Sequence, residues 1–301
     1  MKNTIWVIAV LLLAFLGDRA GGYVLGKITH DSQFRYSRLY RGGENCDLLF
    51  AGNSRGLIFY QPYIEEKTGR PTCNLSYNGM PMDLAAVLIK DFLDRNSHPR
   101  ILVLDVTMLD KRMDSRLVTG FNCYVPFSER LSDLMRDSFA NDFFAGQVAH
   151  LYRYNSEVFQ RAFYYLKKSD EDWLLDRVIS PILQKEVEKQ GEFDYEFTPD
   201  MLASLAGVVN YATQKGVRVA LVVNPYYPPF AEKIGNLPAL KKAIEQATGI
   251  TVHDYSNSIS GVEGFGDYQH LNKNGAKEYL DKLMEDGILG VSEDLGGGDR
   301  F

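Results

Sequence analysis

Five short apolar runs, at 47–52 (DLLFAG), 72–76 (TCNLS), 100–106 (RILVLDV), 217–224 (VRVALVVN) and 250–254 (ITVHD), show almost no alternation with polar residues. A strand with one wet face alternates, whereas a strand buried on both faces does not. Segments of helical period lie between or after these runs, at 57–68, 82–96, 199–215, 236–248 and 273–286, with Gly69 and Gly216 placed as C-terminal stops. Strands of this kind alternating with helices predict an α/β fold, a doubly wound three-layer α/β/α sandwich on a mainly parallel five-stranded sheet. With 301 residues, 45% of them apolar, the chain has enough material for such a core.

The third and fourth runs are separated by more than a hundred residues, far beyond an ordinary crossover. Tyr, Phe, Leu, Lys and Glu recur there at helical spacing, as in EVFQRAFYYLKK, which predicts a helical insertion over about 128–198. Two roles stay open for it: a lid that shapes a substrate site, or an extension of the core. The last residues, 291–301, read as a flexible tail.

At the other end, IWVIAVLLLAFLG (Ile5 to Gly17) is free of charge and is followed at once by Asp18 and Arg19. A bilayer needs about 20 apolar residues, so this run is short for a span and ample for the apolar region of a signal sequence. The small residues at Ala20 to Gly22, suited to cleavage, are separated from it by two charges. An uncleaved signal-anchor over 1–22 is therefore the expectation, with a short buried helix as the alternative. On the anchor reading the domain at 23–290 is extracytoplasmic, since no second apolar segment of comparable length follows.

A net charge of −6, with Lys and Arg scattered rather than striped, leaves no footprint for nucleic acid. Cys46, Cys73 and Cys123 lie far apart without a Cys-x-x-Cys pair, so neither a zinc ribbon nor a disulfide framework is indicated. No His-Glu-x-x-His or P-loop occurs, and the glycines of GVEGFG have the wrong spacing for a dinucleotide fingerprint.

In open α/β sheets, ligands gather at the C-terminal ends of the strands. The first strand ends in Gly52, Asn53, Ser54 and Arg55, which admits two readings of Ser54: a helix cap or a nucleophile. Near the C-terminus, GDYQHLNKNGA sets Asp267 three residues before His270, with Asn272 suited to cap the last helix. A turn there would bring the carboxylate to the imidazole Nδ1 and leave Nε2 free to take a hydroxyl proton. Asp105 and Asp110 follow the third strand and read as loop anchors. NPYYPPF (Asn224 to Phe230) reads either as a rigid cleft wall or as plain loop packing.

FAGNSRG, NLSYNGM and DYQHLNKNGA together resemble blocks I, II and V of the SGNH/GDSL hydrolase superfamily, over residues 47 to about 285. The resemblance implies a flavodoxin-like sandwich with Ser54 as nucleophile, His270 as general base and acid, and Asp267 as its orienter. It implies an oxyanion hole from the backbone N–H groups of Ser54 and Gly79. The block III Gly-x-Asn-Asp is absent; the chain reads LDVTMLDKR there, with Thr107 at the place of the missing donor and Asn78 and Asn122 as candidate replacements. The arrangement of anchor, DRAGGYVLGK and domain is similar to that of bacterial envelope proteins of polysaccharide O-acylation. An esterase or O-acyltransferase that needs no cofactor is expected, with an acylated or acceptor glycan and a membrane-bound acyl-donor protein as candidate partners. The alternative is a silent domain that binds glycan or scaffolds an export complex.

Overall fold

A computed structural model describes residues 2–110, 112–171 and 173–290, and only the backbone of Lys2, Asn3 and Asp110. The expected tail at 291–301 and the side chain of Asp110 thus lie outside the described residues. The chain divides into two compact units, Met1–Gly43 with Met113–Asp170 and Glu44–Arg112 with Glu171–Phe301. In chain order the first unit supplies α1 (Lys2–Asp31) and α2 (Arg35–Arg41), and the second β1 (Leu48–Ala51), α3 (Gln61–Thr68), β2 (Thr72–Asn74), α4 (Met82–Arg95) and β3 (Ile101–Asp105). The first then resumes with α5 (Ser115–Thr119), α6 (Glu129–Ser138), α7 (Ala140–Val148) and α8 (Glu157–Tyr164). The second closes with α9 (Pro181–Lys189), α10 (Pro199–Gln214), β4 (Arg218–Val223), α11 (Pro228–Ala231), α12 (Leu237–Thr248), β5 (Val252–Asp254) and α13 (Lys273–Glu285).

In the second unit the five strands are all parallel, in the order β2-β1-β3-β4-β5. Every residue of β1, β2 and β3 is buried, which explains why their sequences lack alternation. Leu48, Phe50, Ile101, Val103, Ala220 and Val222 face one way and form a core with Ile64 of α3 and Ala276, Leu280 and Leu283 of α13. Their strand neighbours point to the other face, and α4, α10 and α12 pack together as a helical layer. Each fully buried Leu, Ile or Val contributes about 1.5–3 kcal/mol. The result is the expected α/β sandwich, with strand limits within one or two residues of those read from sequence.

Local signals set the helix ends. Thr198 accepts the Met201 N–H with Pro199 in the first turn of α10, and α3 and α12 stop at Gly69 and Gly249 in the left-handed region (φ 67° and 71°). Asn272 caps α13 by accepting the N–H groups of Asn274 and Gly275.

The first unit is helical, and its limits differ from those read in the sequence. The expected insertion began at 128, but the second segment of the unit begins at Met113, where Asp114 caps α5 by accepting the Leu117 N–H. It ends at Asp170, whose buried carboxylate takes the Arg35 N–H and lies 2.8 Å from Arg35 Nε. Residues 171–198 group instead with the sheet, where Ile179 N–H donates to Phe265 and Phe193 N–H to Lys233. At the other end, α1 does not stop where the charges begin. Asp18 accepts the N–H groups of His150 and Leu151 (2.9 and 3.0 Å), so its charge is satisfied beside the 3-10 turn His150–Tyr154. Gly22 lets that turn approach: a Cβ there would stand 2.5 Å from His150 Cβ. The stretch Thr4–Asp31 is, by length and composition, long and apolar enough to cross a membrane, and only 6% of its most apolar window is buried.

One close approach in the sheet unit gives a stability test. A Cβ on Gly275 would lie 2.9 Å from Gly264 Cα, with the Gly264 carbonyl closer still, and backbone on both sides cannot yield cheaply. Gly275→Ala is expected to destabilise the protein by about 1–3 kcal/mol in thermal or urea unfolding. Gly191→Ala, where a methyl would meet nothing within 4 Å, should change stability by less than about 0.5 kcal/mol.

Candidate active site

The strand order places a topological switch point between β1 and β3, the place where open parallel sheets bind ligands. The chain leaves β1 through Gly52 into the 3-10 turn Ser54–Ile58. Gly52 is required here by crowding, since a Cβ would sit 3.0 Å from both Asp105 Cβ and Gly56 Cα. The cap of that turn is Asn53, whose side chain accepts the Arg55 N–H at 2.9 Å. Capping is therefore done by the residue before Ser54.

The Ser54 hydroxyl meets His270 instead, with Oγ 2.8 Å from Nε2. The loop that carries His270 is built around Asp267, which accepts the backbone N–H groups of Gln269 and His270 at 2.9 and 3.0 Å. The same carboxylate lies 2.8 Å from His270 Nδ1, so Nδ1 carries the proton and Nε2 is left to accept the serine O–H. Burial pushes the Asp267 carboxyl up, but its bonds to the His270 ring and to the two amides outweigh this and hold it below the usual 3.8. Asn272, 3% exposed, fixes the loop by donating Nδ2 hydrogens to the carbonyls of Glu263 (2.6 Å) and Arg177 (3.2 Å) while its oxygen caps α13.

After β3 a second network faces this turn. Thr107 donates its hydroxyl to the buried Asp105 at 2.8 Å and accepts from Asn53 Nδ2 at 3.2 Å. Burial, acting against Arg55 and the Thr107 bonds, pushes the Asp105 carboxyl up. Thr107, at the position of the missing block III donor, is thus committed to Asp105 and Asn53, and Asp105 is the anchor expected.

Arg55 is a residue that no sequence signal singled out. It is 4% exposed, its guanidinium stacks 3.3 Å from the centre of the Tyr226 ring, and Nη2 donates to the carbonyls of Asn224 and Pro225. Its Nε and Nη1 have no hydrogen-bond partner. A small cleft of about 40 Å³ opens over Ser54, with Arg55, Thr107, Tyr195, Tyr226, Phe230 and Gln269 among its walls. Tyr226 and Phe230 belong to the NPYYPPF segment, which is a cleft wall. Tyr195 and the neighbouring Phe193 also line the cleft, although the sequence reading placed both in the insertion. Asn78 and Gly79 are exposed in the turn after β2, with Gly79 at φ 69°, and are not among the lining residues. Asn122 is buried in the helical unit and donates to the Asp142 carbonyl.

Among the described residues no three His, Cys, Asp or Glu side chains gather with geometry that would hold a metal ion. Cys46, Cys73 and Cys123 are buried and not joined in disulfides, and burial pushes the Cys123 thiol up.

No family model matches the chain, and no curated protein matches it. Among solved structures, a GDSL-like lipase from Bacteroides thetaiotaomicron is similar at a TM-score of 0.37 and 9% identity, over 81% of this chain and 88% of that one. A likeness of that size carries no argument; the fold stands on the strand order and register given above.

The depressed Asp267 carboxyl yields a pH test. Its contribution to stability is complete above the ordinary value of 3.8 and is lost as the pH falls through the lower folded value. Urea unfolding of the wild type should therefore lose more stability than Asp267→Asn on acidification from about pH 5 to pH 3. Equal losses would show that the carboxylate is not held by these donors.

Proposed function

We propose that this chain is a membrane-anchored serine esterase or O-acyltransferase of the SGNH/GDSL kind, acting outside the cytoplasm on short acyl esters of a cell-envelope or exported polysaccharide. The observation that carries the reading is the chain of contacts from Asp267 to His270 Nδ1 and from His270 Nε2 to Ser54 Oγ, both at 2.8 Å. Ser54 Oγ attacks the acyl carbonyl as His270 Nε2 takes its proton, and Asp267 holds the tautomer and stabilises the imidazolium. The ester bond breaks, the departing sugar oxygen receives the proton from Nε2, and an acyl-serine remains. Water or a second sugar hydroxyl, deprotonated by the same nitrogen, releases it.

The tetrahedral oxyanion would be bound by the amides of Ser54 and Gly79. In place of the missing block III asparagine we assign the partnerless N–H groups of Arg55, which stand in the cleft wall next to the nucleophile. A cleft of about 40 Å³ has room for roughly three waters, or a group the size of acetyl, and so supports a short acyl chain. The flat rings of Phe193, Tyr226 and Phe230 suit the faces of a sugar. Hydrolysis and transfer use every one of these residues alike and differ only in which hydroxyl reaches the acyl-serine. A second reading, a glycan-binding domain without turnover, draws support from the absence of Asn78 and Gly79 from the cleft walls.

The test is hydrolysis of p-nitrophenyl acetate by the full chain in neutral detergent. Ser54→Ala and His270→Ala should abolish it, and Asp267→Asn should lower kcat by about 10³–10⁴. Arg55→Gln should lower kcat by about 10²–10³ with little change in KM. Acetate should be cleaved faster than octanoate. Activity unaffected by Ser54→Ala refutes the nucleophile, and a wild type without activity favours the binding domain. Alkaline carbonate should leave the full chain in the membrane pellet; its release would refute the anchor separately.

A further inference from the structure

The helical unit holds a larger cavity that the esterase reading does not use. Its volume is about 560 Å³, within the range of small-molecule sites, and its walls include Arg19, Tyr23, Lys27, Phe127, Arg153 and Tyr154. His30 and His150 also reach it, and Gly22 and Gly26 open the side made by α1. Its lining is thus cationic at several points and otherwise largely apolar or aromatic.

Two of these cations face the cavity with donor capacity to spare, and one of them, Arg153, is buried. Arg153 is only 9% exposed, yet Nη2 donates to the neutral Gln147 amide oxygen and no carboxylate lies within ion-pair distance of it among the described residues. Arg19, partly exposed, donates Nη2 to the Val148 carbonyl and pairs with Asp18 at 3.4 Å through Nη1, an atom that itself has no hydrogen-bond partner. The other carboxylate nearby, Asp31, pairs with Lys27 at 3.0 Å and with His30 at 3.1 Å. Burial and the charges of Arg153 and Arg19, which line the same cavity, hold the His150 imidazole below its usual value. Arg153 thus carries a buried charge with no carboxylate of its own, which is costly unless an anion completes it.

On the anchor reading, the length of α1 sets this cavity at the level of lipid headgroups. Residues 4–17 of α1 rise only about 21 Å, against a hydrocarbon core of about 30 Å. The shortfall of roughly six residues runs to about Tyr23, through the stretch where Asp18 is hydrogen-bonded to the 3-10 turn. Around that stretch Tyr23 and Val24 of α1, Val148 of α7, and Leu151 and Tyr152 are exposed, with Val148 at 76%. These residues extend the apolar surface beyond Gly17.

We propose that this cavity binds the headgroup phosphate of an anionic phospholipid, held by Arg153 and Arg19 with Lys27 at the rim and with Tyr23, Phe127 and Tyr154 around its glycerol ester region, while its acyl chains run back along α1 past the exposed Phe15 and Leu16. The occupant comes from the membrane that α1 enters, so the proposal rests on the anchor reading and not on the esterase reading. A neutral phospholipid lacks the net charge that Arg153 needs. A free phosphate lacks the apolar part that the aromatic walls need.

Native mass spectrometry of the full chain in neutral detergent, titrated with phosphatidylglycerol, phosphatidylcholine of the same chains, or inorganic phosphate, tests this without requiring a bilayer. One retained phosphatidylglycerol per chain is expected, bound at least tenfold tighter than phosphatidylcholine, with inorganic phosphate unable to displace it at millimolar concentration. Arg153→Gln should weaken it at least tenfold. Lys27→Gln, at a side chain 67% exposed and safe for folding, should weaken it several-fold, with ester hydrolysis unchanged in both variants. Equal retention of the two lipids, displacement by phosphate alone, or variants that bind as the wild type does would each overturn the proposal. If Arg153→Gln does not fold, the comparison of Lys27→Gln with wild type decides.

Discussion

Parallel pairing of β1 with β3, Leu48 against Ile101 through Ala51 against Leu104, is the constraint from which the candidate site follows. Parallel neighbours need crossovers, and here β1 passes first to β2 on one side while β3 lies on the other, so the connections diverge at the shared C-terminal edge. That edge receives Ser54 from β1 and the Asp105–Thr107 network from β3. Crowding between the two strand ends is what excludes a side chain at Gly52. The loop before α13 then has one task, to bring an imidazole to Ser54, and Asp267 does this by binding its own backbone and the ring with one carboxylate.

Much of this was legible in the sequence because it depends on local rules. A doubly buried strand loses its alternation, and a carboxylate three residues ahead of a histidine reaches it through a turn. Ser54 was visible as a strand-end residue, although its second reading as a cap failed because Asn53 takes that role. What was not legible depends on contacts between distant segments. Arg55 reads in isolation as a solvated arginine and becomes a buried group only because Asn224, Pro225 and Tyr226 close over it from the end of β4. Phe193 and Tyr195 sat in a stretch of helical composition, and the bonds of residues 193–195 with 233–236 draw that stretch to the sheet.

The same distinction explains the N-terminal helix. Charge at Asp18 and Arg19 ends an apolar run by composition, but a helix continues wherever its polar groups find partners. The turn at His150–Tyr154 supplies them, and Gly21, Gly22 and Gly26 let it come close. DRAGGYVLGK is therefore part of the folded helical unit, and the expected boundary at residue 22 falls inside a continuous helix.

The central claim is that Ser54 is a nucleophile activated by His270. The most direct measurement is reaction of the full chain with a fluorophosphonate, followed by tandem mass spectrometry of the digest. The account predicts a single covalent adduct, on Ser54, that disappears in His270→Ala while that variant remains folded. An adduct on another residue that persists in Ser54→Ala, or a folded wild type that takes up no probe, would contradict it.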